Sequence, residues 1–158
     1  MSDLAGDFFR STVKPTVDEF LASPWDIRRG RLAALVLYHM ADYWAAERYE
    51  STVTKQDLAK KMRDELPNLR KELIKKCPDF QLIRDVADAS KHAKLAFPRI
   101  LSSSDQITAS QGIFAAPFGA GVFNSAAEIT AELDDGTKKS LTEAVRSVLD
   151  MWDAIIEK

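Results

Sequence analysis

The sequence predicts a mainly α fold, an antiparallel helical bundle with a β-hairpin inserted before the last helix, and three observations predict it. Apolar residues recur at three- and four-residue intervals through most of the chain, the spacing of a helix with one buried face. Three Ser/Thr-x-x-acid patterns, at Ser23, Thr54 and Ser140, mark helix starts. Between residues 106 and 133 the texture shifts to short segments with β-branched or alternating residues, the signature of a ribbon. With 158 residues the chain is expected to form one domain, 1–158, because a domain of this size buries about two-thirds of its unfolded surface. No internal repeat or linker divides it.

The first helical segment is expected from Ser2 to Ala22, with Phe8, Phe9, Val13, Val17, Phe20 and Leu21 on one side. Pro15 should interrupt it, since proline removes a backbone donor and crowds the preceding turn. In SPWD, Ser23 is read as a cap, Pro24 as the first helical residue and Asp26 as the third. The helix it starts carries Leu32, Val36, Met40, Tyr43 and Trp44 as an apolar stripe, with His39 beside it and Asp42 three residues later. Thr54 and Asp57 start another helix, which Pro67 is expected to bend or restart. Its lysines and arginines alternate with acids, as on a solvated face with interleaved charge, so its small basic excess makes a phosphate-binding strip the lesser reading.

Pro78 opens the next helix, DFQLIRDVADASKHAKLAF, and Pro98 closes it. Two strands come next, QITASQGIF and AAEITAEL, joined by the apolar, glycine-containing segment AAPFGAGVFNS. Phe114, Phe118, Val122 and Phe123 would make a sticky patch if all were exposed, so 114–123 is read as a dimer arm in preference to a pocket lid. FGAG lacks the lysine and hydroxyl residue of a phosphate loop and is read as a hairpin connection. Asp134 to Gly136 form a turn, and Ser140 with Glu143 launches a last helix whose seam runs Leu141, Val145, Val148, Leu149, Trp152, Ile155 and Ile156.

A net charge of −2 offers no global attraction for nucleic acid or an acidic membrane. Cys77 is the single cysteine, so no intrachain disulfide can form, and it is read as a small buried residue. No run is long and apolar enough for a membrane span and the start has no secretory pattern, which together give a cytoplasmic expectation. No cofactor is expected.

The candidate chemistry lies in RDVADASKH. At 100° per residue, Gln81, Asp85, Asp88 and His92 gather opposite Leu82, Ile83 and Val86. Two carboxylates beside one imidazole would raise its pKa and fix its tautomer, as a general acid or a metal ligand needs; a solvated helix face offers the same pattern without function. If the helix carrying His39 packs beside this one, His39, His92 and Asp88 are the candidate metal ligands, although no H-E-x-x-H or di-iron pattern occurs.

The small helical bundle and the order Arg84, Asp85, His92 resemble the HEPN superfamily. The resemblance implies an α-helical, often dimeric protein whose active members cut RNA without metal. Carried over, His92 would be general acid or base at the 2′-hydroxyl, Arg84 would steady the phosphate, and Asp85 or Asp88 would orient the ring. The interval from Arg84 to His92 is longer than the family's, which sets them roughly 80° apart around the helix axis. The strand, DG turn and closing tryptophan-bearing helix are also similar to those of uncharacterised bacterial proteins, a likeness that implies no activity. The expectation is therefore a homodimeric interaction protein, in which nucleic acid is a weaker candidate partner and the alternatives are a His92-centred ribonuclease or a metal-binding bundle.

Overall fold

The computed structural model describes residues 3–96, 99–110 and 127–158. The apolar segment 114–123 and its reading as an arm or lid lie outside them. Element order is α1 (Leu4–Phe8), a π-helical turn (Phe9–Val13), α2 (Lys14–Leu21), α3 (Ile27–Glu50), α4 (Lys55–Lys76), α5 (Asp79–His92), β1 (Ile107–Ala109), β2 (Ile129–Glu132), β3 (Lys138–Ser140) and α6 (Leu141–Ile156). This is the expected mainly α bundle with its ribbon before the last helix.

Pro15 interrupts the first segment, but by widening it instead of breaking it. The Lys14 N–H reaches back five residues to the Phe9 carbonyl, and the π turn makes room where a proline ring would clash with an ordinary helical carbonyl. Phe9, Val13, Val17 and Phe20 stay on one buried side across the change.

The second start differs in detail from its expectation. Ser23 to Trp25 form a turn closed by the Asp26 N–H on the Ser23 carbonyl at 2.9 Å. Asp26 is the cap, accepting from the Arg29 N–H at 3.1 Å, while the Ser23 hydroxyl takes an Arg29 guanidinium N–H at 2.9 Å. From there α3 runs through the middle of the bundle and touches α1, α2, α4, α5 and α6. Gly30 permits the tightest meeting: a Cβ there would sit 2.9 Å from Ile129 Cδ1 and 3.0 Å from Leu141 Cδ2, so α3, β2 and α6 converge on bare backbone.

α4 passes through Pro67 without stopping. α5 does stop, at His92, well before Pro98, and the chain folds back: the Leu95 N–H donates to the Ser102 carbonyl at 2.8 Å and the Ser104 N–H to the Ala93 carbonyl at 2.8 Å. β1 and β2 pair antiparallel with Thr108 opposite Thr130, as expected of the ribbon. A third strand, which the residue pattern does not predict, extends it: β3 pairs antiparallel with β2, Ala131 opposite Lys139. Gly136, at φ 86°, makes the turn between them. Asp135 accepts from the Thr137 N–H at 2.8 Å, a bond that holds its carboxyl below the ordinary range.

Ser140 caps α6 as expected, accepting from the Glu143 N–H at 3.3 Å. The core beneath is continuous, built on Phe9, Phe20, Leu37, Met40, Phe80, Ile83, Leu141 and Trp152. Cys77 is buried, and burial pushes its thiol pKa up, so it behaves as a small apolar residue. No helix among the described residues is long and apolar enough to cross a membrane.

Candidate functional site

Two neighbouring regions of α5 hold the residues that the sequence singles out. The first is built around Asp85, which is fully buried and not on an open polar face. Its Oδ1 accepts from Arg84 Nε at 2.8 Å and Arg99 Nη1 at 3.0 Å; its Oδ2 accepts from the backbone N–H groups of Ile100 at 2.9 Å and Leu101 at 3.4 Å. Arg99 Nη1 also donates to Asp88 Oδ2 at 2.6 Å. Burial works against the charge on Arg99, but the hydrogen bonds and attraction from Asp85 and Asp88 outweigh it and leave the guanidinium pKa raised. One carboxylate therefore ties helix α5 to the returning segment 99–101 with three contacts, and takes a fourth from Arg84 on its own helix. Periodicity along α5 gives no sign of that segment, so Arg99 escapes a reading of the sequence.

His92 is elsewhere. It is exposed at the last position of α5 and, among the described residues, makes no ion pair with Asp85 or Asp88. Arg84 lies about two helical turns away, with its Nε on Asp85. Arg84, Asp85 and His92 thus do not converge within one chain. The residue after His92 is strained: Ala93 has φ 63° and ψ −51°, and the Lys94 N–H closes onto the His92 carbonyl at 2.7 Å. That is a γ-turn of the uncommon hand, which an L-residue adopts at a cost. Glycine at this exposed position removes the Cβ conflict, so Ala93→Gly is expected to raise stability by about 1 kcal/mol, net of the greater freedom glycine has when unfolded, in urea denaturation. An unchanged or lower midpoint would show that the turn carries no strain.

The second region is a cleft of about 330 Å³ between α3, α4 and α5, lined by Tyr38, His39, Asp42, Arg70, Asp88 and Lys91. The His39 helix does pack beside α5, the condition on which the metal reading depends, and His39, Asp42 and Asp88 share one opening. His92 does not line it. His39 Nδ1 stands 3.5 Å from Asp42 Oδ2. The Arg70 guanidinium covers the Tyr38 ring at 4.7 Å from its centroid and reaches Asp42 Oδ1 at 3.4 Å. Burial pushes the Tyr38 phenol pKa up; Arg70 and Arg84 oppose the rise, and Asp88 and Asp42 reinforce it. The metal expectation puts His39, His92 and Asp88 together, and the fold does not: among the described residues no three His, Cys, Asp or Glu side chains are grouped to hold a metal ion.

The chain matches no protein-family model, no curated protein and no solved structure. Its class rests on its own geometry, a mainly α bundle with a small antiparallel sheet set before the closing helix.

Proposed function

We propose that this chain is a HEPN-like helical-bundle protein that works by association, as a cytoplasmic homodimer, in a nucleic-acid-related or defence setting. The observation that supports this reading over catalysis is the use made of Asp85. A working Arg–Asp–His site needs side chains able to meet a substrate, whereas Asp85 is sealed inside the fold and holds Arg84 and Arg99 to itself. What the end of that helix and the chain just after it leave in solvent are Lys91, His92 and Lys94. Two large apolar side chains near the start of α3 also stand out: Trp25, in the turn before it, is 54% exposed and Leu32, on it, is 41% exposed. In the dimer these two are expected to be covered.

Light scattering on the eluting protein tests the reading. The expected result is twice the mass of one chain, shifting toward one chain's mass in the double variant Trp25→Ser, Leu32→Arg. A wild-type monomer at micromolar concentration would remove it.

A ribonuclease reading draws on one observation, the solvent-facing imidazole of His92 held at a strained turn. In that case His92 takes or gives the proton at the 2′-hydroxyl, and the charge that steadies the phosphate comes from a basic group other than its own Arg84. Cleavage of single-stranded RNA by the wild type, lost in His92→Ala, supports it; no cleavage by the wild type removes it.

A further inference from the structure

We propose that the cleft between α3, α4 and α5 binds a small phosphate-bearing molecule, held by Arg70 and Lys91 with His39 at the rim. Arg70 is the starting point. Its guanidinium has five N–H donors, yet among the described residues its side chain makes one hydrogen bond, the long one of 3.4 Å to Asp42, and its Nε is buried with no partner. A guanidinium laid against an aromatic ring is fixed in place, so its remaining donors are aimed before any ligand arrives.

The acids in the cleft are already answered. Asp88 receives Arg99 from behind at 2.6 Å, and Asp42 receives Arg70 and faces His39. Lys91, one turn beyond Asp88, forms no ion pair among the described residues. The lining carries two cations, Arg70 and Lys91, and two acids, Asp42 and Asp88; both acids already have a partner, in Arg70 and Arg99, so Lys91 is the charge still to be answered among the described residues. His39 turns Nδ1 toward Asp42, so Nε2 is the nitrogen left for a ligand.

The geometry selects the anion. The polar groups come from three helices: the donors Arg70 on α4 and Lys91 on α5, and on α3 the His39 Nε2, which accepts when Nδ1–H is turned to Asp42. A phosphate monoanion offers an oxygen to each cation and an O–H to the imidazole, whereas a planar carboxylate has two oxygens and no O–H and would leave the imidazole unanswered. A volume of about 330 Å³ suits a small phosphomonoester and no long polymer.

The test is isothermal titration of the intact protein with inorganic phosphate and, separately, with adenosine 5′-monophosphate, at fixed moderate salt, with acetate as the carboxylate comparison. Saturable binding of the monophosphate is expected, weakened at least about tenfold in Lys91→Ala and in Arg70→Gln, unchanged in His92→Ala, and not competed by acetate. Lys91 is exposed, so its variant keeps the fold, and circular dichroism checks this for Arg70→Gln. Absence of saturable binding by either phosphate probe overturns the proposal. So does binding that Lys91→Ala leaves unchanged, or acetate competing as well as phosphate.

Discussion

Asp85→Ala is expected to lower the stability of the chain by about 3 kcal/mol, near the bottom of the range for breaking a buried ion pair because both arginines keep some water. The side chain of Asp85 is fully buried, while those of Arg84 and Arg99 are 21% and 20% exposed. Removing the carboxylate leaves two guanidinium groups without their anchor and two backbone N–H groups, at Ile100 and Leu101, without an acceptor. Unsatisfied buried donors carry the larger part of the loss, since an unmade bond forfeits the desolvation of the group that remains. Asp85→Asn keeps one carbonyl oxygen for those N–H groups and gives up the charge, so about half the effect is expected. Urea denaturation measures both. Hydrogen exchange adds a local readout: the amides of Ile100 and Leu101 should exchange faster in Asp85→Ala than in the parent, relative to amides in α6. A loss under about 0.5 kcal/mol would mean that the 99–101 segment is held without Asp85, by packing, the Arg99–Asp88 pair and the Asp134 N–H on the Ile100 carbonyl.

That anchor also shows what the sequence alone can and cannot reveal. Local signals are readable where the deciding atoms lie within a few residues. Ser140 and Glu143 are three apart, and the cap they announce is the one that forms. Pro15 announces an interruption, though not that it takes the form of a π turn. The start of α3 is ambiguous in the sequence because Ser23 and Asp26 both suit a cap; the Ser23–Trp25 turn decides for Asp26. Where the deciding atoms are distant, the pattern fails. AKLA after His92 has good helix formers, yet the backbone of 102–104 pulls the chain out of the helix at Ala93. Lys138–Ser140 has neither alternation nor β-branched residues and becomes a strand because β2 offers an unpaired edge.

The same division runs through the candidate site. The His39–Asp42 pair is legible as an i, i+3 spacing, and its meeting with α5 comes from adjacent helices in a bundle. Asp88 and Lys91 join them, and His92, the next residue and the exposed last one of α5, does not line the cleft. A wheel drawn for one helix is blind to where its neighbours close the cleft. It is equally blind to Arg99, whose arrival converts Asp85 from an apparent surface acid into a buried one.

Trp152→Ala carries the other large expected effect, a loss of about 3–5 kcal/mol, the usual range for emptying a tryptophan site in a core. The side chain is wholly buried on α6 and sits edge-on to Trp44, at 6.2 Å between ring centroids, and to Phe80, at 6.3 Å. Its indole N–H donates to the Leu37 carbonyl on α3 at 3.0 Å. One residue therefore joins α6 to α3 and α5 at once, the two helices against which the closing helix packs most extensively. Truncation removes the rings' partner and leaves a cavity that helices on three sides cannot easily collapse to fill. Trp152→Phe separates the two contributions: it keeps most of the apolar volume and loses the hydrogen bond, so a cost of about 1–2 kcal/mol is expected. Guanidinium denaturation of the three proteins gives the order wild type, phenylalanine, alanine. If the phenylalanine variant fell as far as the alanine variant, the bond to Leu37 and not ring packing would be what holds α6 in place.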